Sequence, residues 1–139
     1  MSEPVVVDAS VALKWVTFEA DSERALHLKG ASLFAPDLLL AECGNALWWQ
    51  VRTGAMRSDE AALAVAELVN APLTLVPTAT LIKDAYRLAV ELDRTVYDCV
   101  YLALAVAQHA RLVTADRRFQ NAITRHRAYR ESVVMLDQV

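Results

Sequence analysis

Short apolar runs alternate with helix-length segments along this chain, and that alternation narrows its fold more than any other feature. Val5-Val6-Val7 is wholly apolar and β-branched, the pattern of a central strand buried on both faces. Ser32-Leu33-Phe34-Ala35 reads as a weaker strand, and Leu73 to Val76, Leu112-Val113-Thr114 and Ser132 to Leu136 as three more. Ser10 is placed to cap a helix from Val11 to about Phe18. Further helices are predicted over about 21–29, ended by Gly30, and from Pro36 to about Thr53, closed by Gly54. Others follow over about 58–70, 78–92 and 96–110, and Asp116 begins the last. Short strands joined by long helices predict an α/β fold of three layers, a central short parallel sheet flanked by helices. With three glycines, no internal repeat and no low-complexity stretch, one domain over residues 1–139 is expected.

A chain of 139 residues with 55% hydrophobic residues and a mean hydropathy of +0.25 can bury a core without disulfides. Cys43 and Cys99 lack metal-site spacing and do not form a disulfide framework; each is expected to pack into the core. Met1-Ser2-Glu3-Pro4 lacks a basic leader, and the longest apolar stretch, Cys99 to Ala107, is too short to span a bilayer. A soluble, cytoplasmic protein is expected. The 14 Lys and Arg against 17 Asp and Glu argue weakly against nucleic-acid binding. Their distribution argues the other way: arginines 111, 117, 118, 125, 127 and 130 face a single acid, Asp116, between residues 111 and 130. That basic third suits either a phosphate backbone or a solvated helix face.

Four acids interrupt or end apolar sequence. Asp8 follows the three valines, Glu42 sits in Leu38-Leu39-Leu40-Ala41-Glu42-Cys43, Asp98 in Val96-Tyr97-Asp98-Cys99, and Asp116 after Leu112-Val113-Thr114-Ala115. A buried carboxylate without a partner is costly, and those runs contain no Lys or Arg. In a parallel sheet, ligands bind beyond the carboxyl ends of the strands, where Asp8 and Asp116 fall. Each acid also has a structural reading. Asp8 can terminate a strand, Glu42 can face solvent, and Asp98 can fill the third helical position behind a Thr95 cap. Asp116 can itself cap a helix. Taken together they point elsewhere, because like charges about 4 Å apart repel by roughly 4 kcal/mol at an effective dielectric near 20. Such a cluster calls for bound cations or raised pKa values.

The Val-Val-Val-Asp8-Ala-Ser10 start, Glu42-Cys-Gly-Asn45, Tyr97-Asp98 opening an Ala/Leu-rich helix, and Leu-Val-Thr114-Ala-Asp116 resemble a PIN domain. More narrowly, the chain resembles the VapC-type ribonuclease toxins of toxin–antitoxin pairs, from about residue 4 to 137. The resemblance implies that Asp8, Glu42, Asp98 and Asp116 hold Mg²⁺ or Mn²⁺, with Ser10, Asn45 and Thr114 supporting them. It implies an RNA endonuclease that dimerises and is silenced by a cognate antitoxin. Oxygen-only ligands suit such hard ions, with Asp8 and Asp98 the first-choice ligands and Glu42 and Asp116 binding directly or through water. The ion would acidify a water that attacks the phosphodiester. Arg117 and Arg118 are candidates to steer RNA. Of Trp15, Trp48 and Trp49, at least one is expected in the core and one on a partner surface.

A haloacid-dehalogenase-like phosphatase would need a second Asp where Ser10 stands, and a receiver domain a late Lys, yet no lysine follows Lys83. No Gly-rich loop suggests a nucleotide-binding module. The remaining alternative is a PIN-like protein that binds RNA or a partner without cutting.

Overall fold

The computed structural model describes residues 3–139. Five parallel strands, β1 (Pro4–Val7), β2 (Ser32–Pro36), β3 (Leu73–Val76), β4 (Arg111–Thr114) and β5 (Val133–Met135), form one sheet in the order β3-β2-β1-β4-β5. Strand order reverses at β1, whose neighbours β2 and β4 lie on opposite sides, so the β1–β4 boundary is the switch point of the sheet. Flanking it among the described residues are α1 (Ala9–Ala12), α2 (Ser22–Leu28), α3 (Leu38–Arg52), α4 (Ser58–Val69), α5 (Ile82–Leu92), α6 (Val96–Gln108) and α7 (Arg117–Thr124). The expected α/β sandwich with a short parallel sheet is what forms.

Helix α6 is the centrepiece of the core. Every residue from Cys99 to Ala105 is buried, and the helix packs on β1, β2, β4 and α5. A helix apolar on all sides belongs inside. Burying one of its leucines, such as Leu102, stabilises the fold by roughly 1.5–3 kcal/mol. Its start is fixed by Thr95, whose Oγ1 accepts the Asp98 amide at 3.2 Å.

Two boundaries differ from the sequence-based expectation. The first helix is capped by Asp8 rather than Ser10: the Asp8 carboxylate accepts the Val11 amide, and α1 runs only to Ala12 before a 3-10 turn at Leu13–Trp15. The Ser10 hydroxyl is engaged elsewhere. Pro36 ends β2, paired with Val76, instead of opening α3. Proline offers no amide there, and the next amide, Asp37, donates to Val76 O at 2.9 Å. Gly54, at φ +81°, occurs just past the end of α3, where a side chain would be strained.

Candidate functional site

Asp8 and Asp116 leave the carboxyl ends of β1 and β4, the two strands at the switch point. Two hydroxyls tie these strand ends together. Ser10 Oγ donates to Asp8 Oδ1, and Thr114 Oγ1 donates to Asp8 Oδ2. The Ser10 hydroxyl also accepts the Ala115 amide at 2.9 Å, and that of Thr114 accepts the Asp116 amide at 3.0 Å. Asp116 Oδ1 in turn accepts the Arg118 and Phe119 amides at 3.0 and 3.2 Å, capping α7. Asp8 and Thr114 are buried, whereas Asp116 is exposed. Burial pushes the Asp8 carboxyl up to about 6; its three hydrogen bonds oppose the shift and the charge of Asp116 adds to it.

The other two acids come from helices. Glu42, on α3, takes a hydrogen bond from the buried Tyr101 hydroxyl of α6 at 2.9 Å. Burial raises its pKa; the Tyr101 bond lowers it, and the charges of Asp8 and Asp98 raise it further. Asp98, in the first turn of α6, is half-buried and meets Arg94 Nη2 at 2.8 Å. Electrostatic coupling thus links Asp116 to Asp8, and Glu42 to both Asp8 and Asp98.

Asp98 corrects the expectation that the acids lack a cationic partner, since Arg94 lies just outside its apolar run. The Arg94 guanidinium also sits 5.9 Å from the Phe119 ring centroid, and its Nε is buried without a hydrogen-bond partner. An unsatisfied buried donor costs roughly 1–3 kcal/mol. Neither Arg94 nor Tyr101 was singled out from sequence. Signals for both exist: Arg94 precedes Asp98 by four residues, and a phenol inside a wholly buried helix needs a polar partner.

Asn45 is exposed, and among the described residues its side chain forms no hydrogen bond to any of the four acids. Arg117 pairs with Asp137 at 3.2 Å, while Arg118 is exposed with no ion pair among the described residues. Both cysteines are buried, as expected, and burial pushes the Cys43 thiol up to about 12 and Cys99 to about 11. Trp15 is buried, its Nε1 donating to Ala25 O at 2.7 Å. Trp48 and Trp49 are both half-exposed and pack edge to face with centroids 5.1 Å apart, so both, rather than one, reach the surface.

Among the described residues, no three His, Cys, Asp or Glu side chains form a ready-made metal cage. The candidate donors are nevertheless all carboxylate oxygens, each carboxylate with lone pairs beyond those its protein partners use. That set fits a hard ion held by one or two carboxylates and retaining several waters.

Residues 5–123 match the PIN domain. The chain belongs to the PIN-domain family. It is 36% identical over 118 residues to Ribonuclease VapC3 of Pyrobaculum aerophilum, covering 82% of this chain and 90% of that relative. The fold also matches two crystal structures. PAE2754 from Pyrobaculum aerophilum superposes with a TM-score of 0.72 at 23% identity, over 97% of this chain and 85% of that one. VapC20 of Mycobacterium tuberculosis, described as a sarcin–ricin loop cleaving toxin, gives 0.65 at 18% identity, over 85% and 94%. The chain is therefore a PIN-domain homologue of a VapC ribonuclease. No helix among its described residues is long and apolar enough to cross a membrane.

Proposed function

We propose that this PIN-domain protein is a divalent-metal-dependent endoribonuclease, acting in the cytoplasm as the toxin of a toxin–antitoxin pair. The observation that carries this reading is the hydroxyl network of Ser10 and Thr114 that joins Asp8 and Asp116 at the switch point of the sheet. The charges of Asp8 and Asp98 both act on Glu42. The ribonuclease relative at 36% identity supports the activity, and the name VapC that it shares with the neighbour described as a toxin supports the toxin role.

Asp8 and Asp98 would hold Mg²⁺ or Mn²⁺, with Glu42 and Asp116 binding directly or through water. When bound, the ion supplies an acidified water as nucleophile and neutralises charge on the phosphate. Ser10 and Thr114 keep both Asp8 oxygens aimed by donating one hydroxyl to each. Tyr101 fixes one oxygen of Glu42 and leaves the other for an ion or water. Arg118 is exposed beside Asp116 and is available to RNA; Arg117 would first have to leave Asp137.

Exposed Trp48, Trp49, Leu63 and Val69 on α3 and α4 offer apolar area for an antitoxin segment or a second copy. A homodimer is expected, and light scattering that finds only monomer at high concentration would refute it. For the nuclease itself, Asp8→Asn and Asp98→Asn should each strongly reduce Mg²⁺-dependent RNA cleavage; cleavage retained at the unsubstituted level by both would discard the scheme.

A second reading, RNA or partner binding without cleavage, draws on the lack of a three-acid cage among the described residues. Calorimetric titration separates the two: saturable Mg²⁺ or Mn²⁺ binding lost in Asp8→Asn favours the nuclease.

A further inference from the structure

We propose that Arg94 is a substrate-binding residue of this site, contacting an RNA phosphate next to the four acids. The inference rests on the ribonuclease reading and adds the residue that offsets the site's repulsion of its own substrate. Four carboxylates that face a polyanion need positive charge, and one divalent ion neutralises at most half of their formal charge. Among the described residues, Arg94 is the sole Lys, Arg or His that forms an ion pair with any of the four.

Its position is built rather than incidental. Asp93 closes α5 in the left-handed region at φ 54°, and the Arg94 amide donates back to Ala89 O at 3.2 Å, which pins the backbone between α5 and α6. The side chain thus lies between Asp98 on α6 and the buried Phe119 on α7, the helix whose first turn Asp116 caps.

The donor count argues against a purely structural ion pair. A guanidinium has five N–H donors, and an arginine that serves only a carboxylate favours a two-pronged fork. Here a single prong, Nη2, meets Asp98, and the buried Nε has no partner. The side chain keeps 29% of its surface exposed, so solvent-facing N–H groups remain for a ligand. A phosphodiester oxygen matches that planar donor array. Asp98 is its one ion-pair partner among the described residues; Glu42 and Asp8 bond Tyr101, Ser10 and Thr114 instead.

The test uses Arg94→Gln and Arg94→Lys in the full chain. Binding of a fluorescein-labelled single-stranded RNA of mixed sequence is followed by anisotropy in EDTA and in Ca²⁺, across a KCl series. Mn²⁺ binding without RNA is followed by calorimetry, and folding by thermal melting. Arg94→Gln should weaken RNA binding about 5- to 10-fold and reduce the salt slope by about 0.7, the loss of one single-strand phosphate contact. Its Mn²⁺ affinity should hold or rise, since a competing cation has gone. Should Arg94→Gln fail to fold, Arg94→Lys carries the test: it should keep the salt slope and bind more weakly, having charge without the fork. Unchanged RNA affinity and slope with weakened Mn²⁺ binding would overturn the proposal and leave Arg94 as an orienter of Asp98. Absence of RNA binding by the unsubstituted protein would overturn it as well. Cleavage surviving at the unsubstituted level in both Asp8→Asn and Asp98→Asn would sink the nuclease reading and leave this binding measurement intact, so the two failures are distinguishable.

Discussion

Asp8 and Asp37 follow adjacent parallel strands, β1 and β2, at the same edge of the sheet, and each is bonded by a threonine hydroxyl from far along the chain. Asp8 takes Thr114, and Asp37 takes Thr78, whose hydroxyl donates at 2.6 Å and amide at 2.9 Å. Their electrostatics are opposite. Burial raises Asp8 to about 6, with Asp116 adding to the rise, whereas the Thr78 bonds hold exposed Asp37 below the usual carboxylate range. The same local device is a candidate ion ligand in one place and a strand-end clamp in the other. Burial and the presence of other acids make the difference, and the hydroxyl partner does not.

Paired substitutions probe this contrast. The largest effect is expected for Asp8→Asn, a drop in RNA cleavage on the order of 10²–10³-fold, against a change within about twofold for Asp37→Asn. Equal losses from the two would erase the distinction. Next comes Thr114→Val, which strips a hydroxyl used by both Asp8 and Asp116 and should cost about 10- to 100-fold in activity. The counterpart Thr78→Val should leave kcat unchanged and lower stability by about 1 kcal/mol or less, read by urea unfolding.

Acid titration in EDTA separates the pair by sign. Asp8 binds its proton more tightly folded than unfolded, so its contribution grows as pH falls from about 6 to 3.8 and is full below that. The gain is roughly 3 kcal/mol at most and should vanish in Asp8→Asn. Asp37, with a lowered folded value, stabilises above 3.8 and loses that contribution at more acid pH. Stability that is flat between pH 6 and 4 in the unsubstituted protein would contradict the raised Asp8 value. Cleavage, which needs ionised Asp8, should be lost at acid pH, with a midpoint below the metal-free value of about 6 because a bound cation favours the carboxylate. The smallest effect is expected for Asn45→Ala, which breaks no hydrogen bond described here; cleavage assays should find activity within about twofold.

Much of this was legible locally. Val5-Val6-Val7 and Leu112-Val113-Thr114 are strands, and Thr95 caps α6 with Asp98 in its first turn, because these depend on neighbours within a few residues. Cys43 and Cys99 are buried for the same reason: each belongs to an apolar helix face. Ser10 misled because its hydroxyl can serve α1 or reach Ala115, and the sequence does not rank those options. Pro36 misled because proline suits both the first turn of a helix and the end of a strand.

Pattern and propensity alone determined that this chain alternates strands and helices, with acids at the strand ends and in two helices. Tertiary structure decided which strands are neighbours, and hence that Asp8 and Asp116 share a hydroxyl network across 108 positions of chain while Asp37 does not. It also decided that Tyr101 meets Glu42 and that Arg94 lies between α6 and α7. Periodicity is set by local sterics and side-chain burial, whereas contacts between distant side chains depend on how whole elements pack.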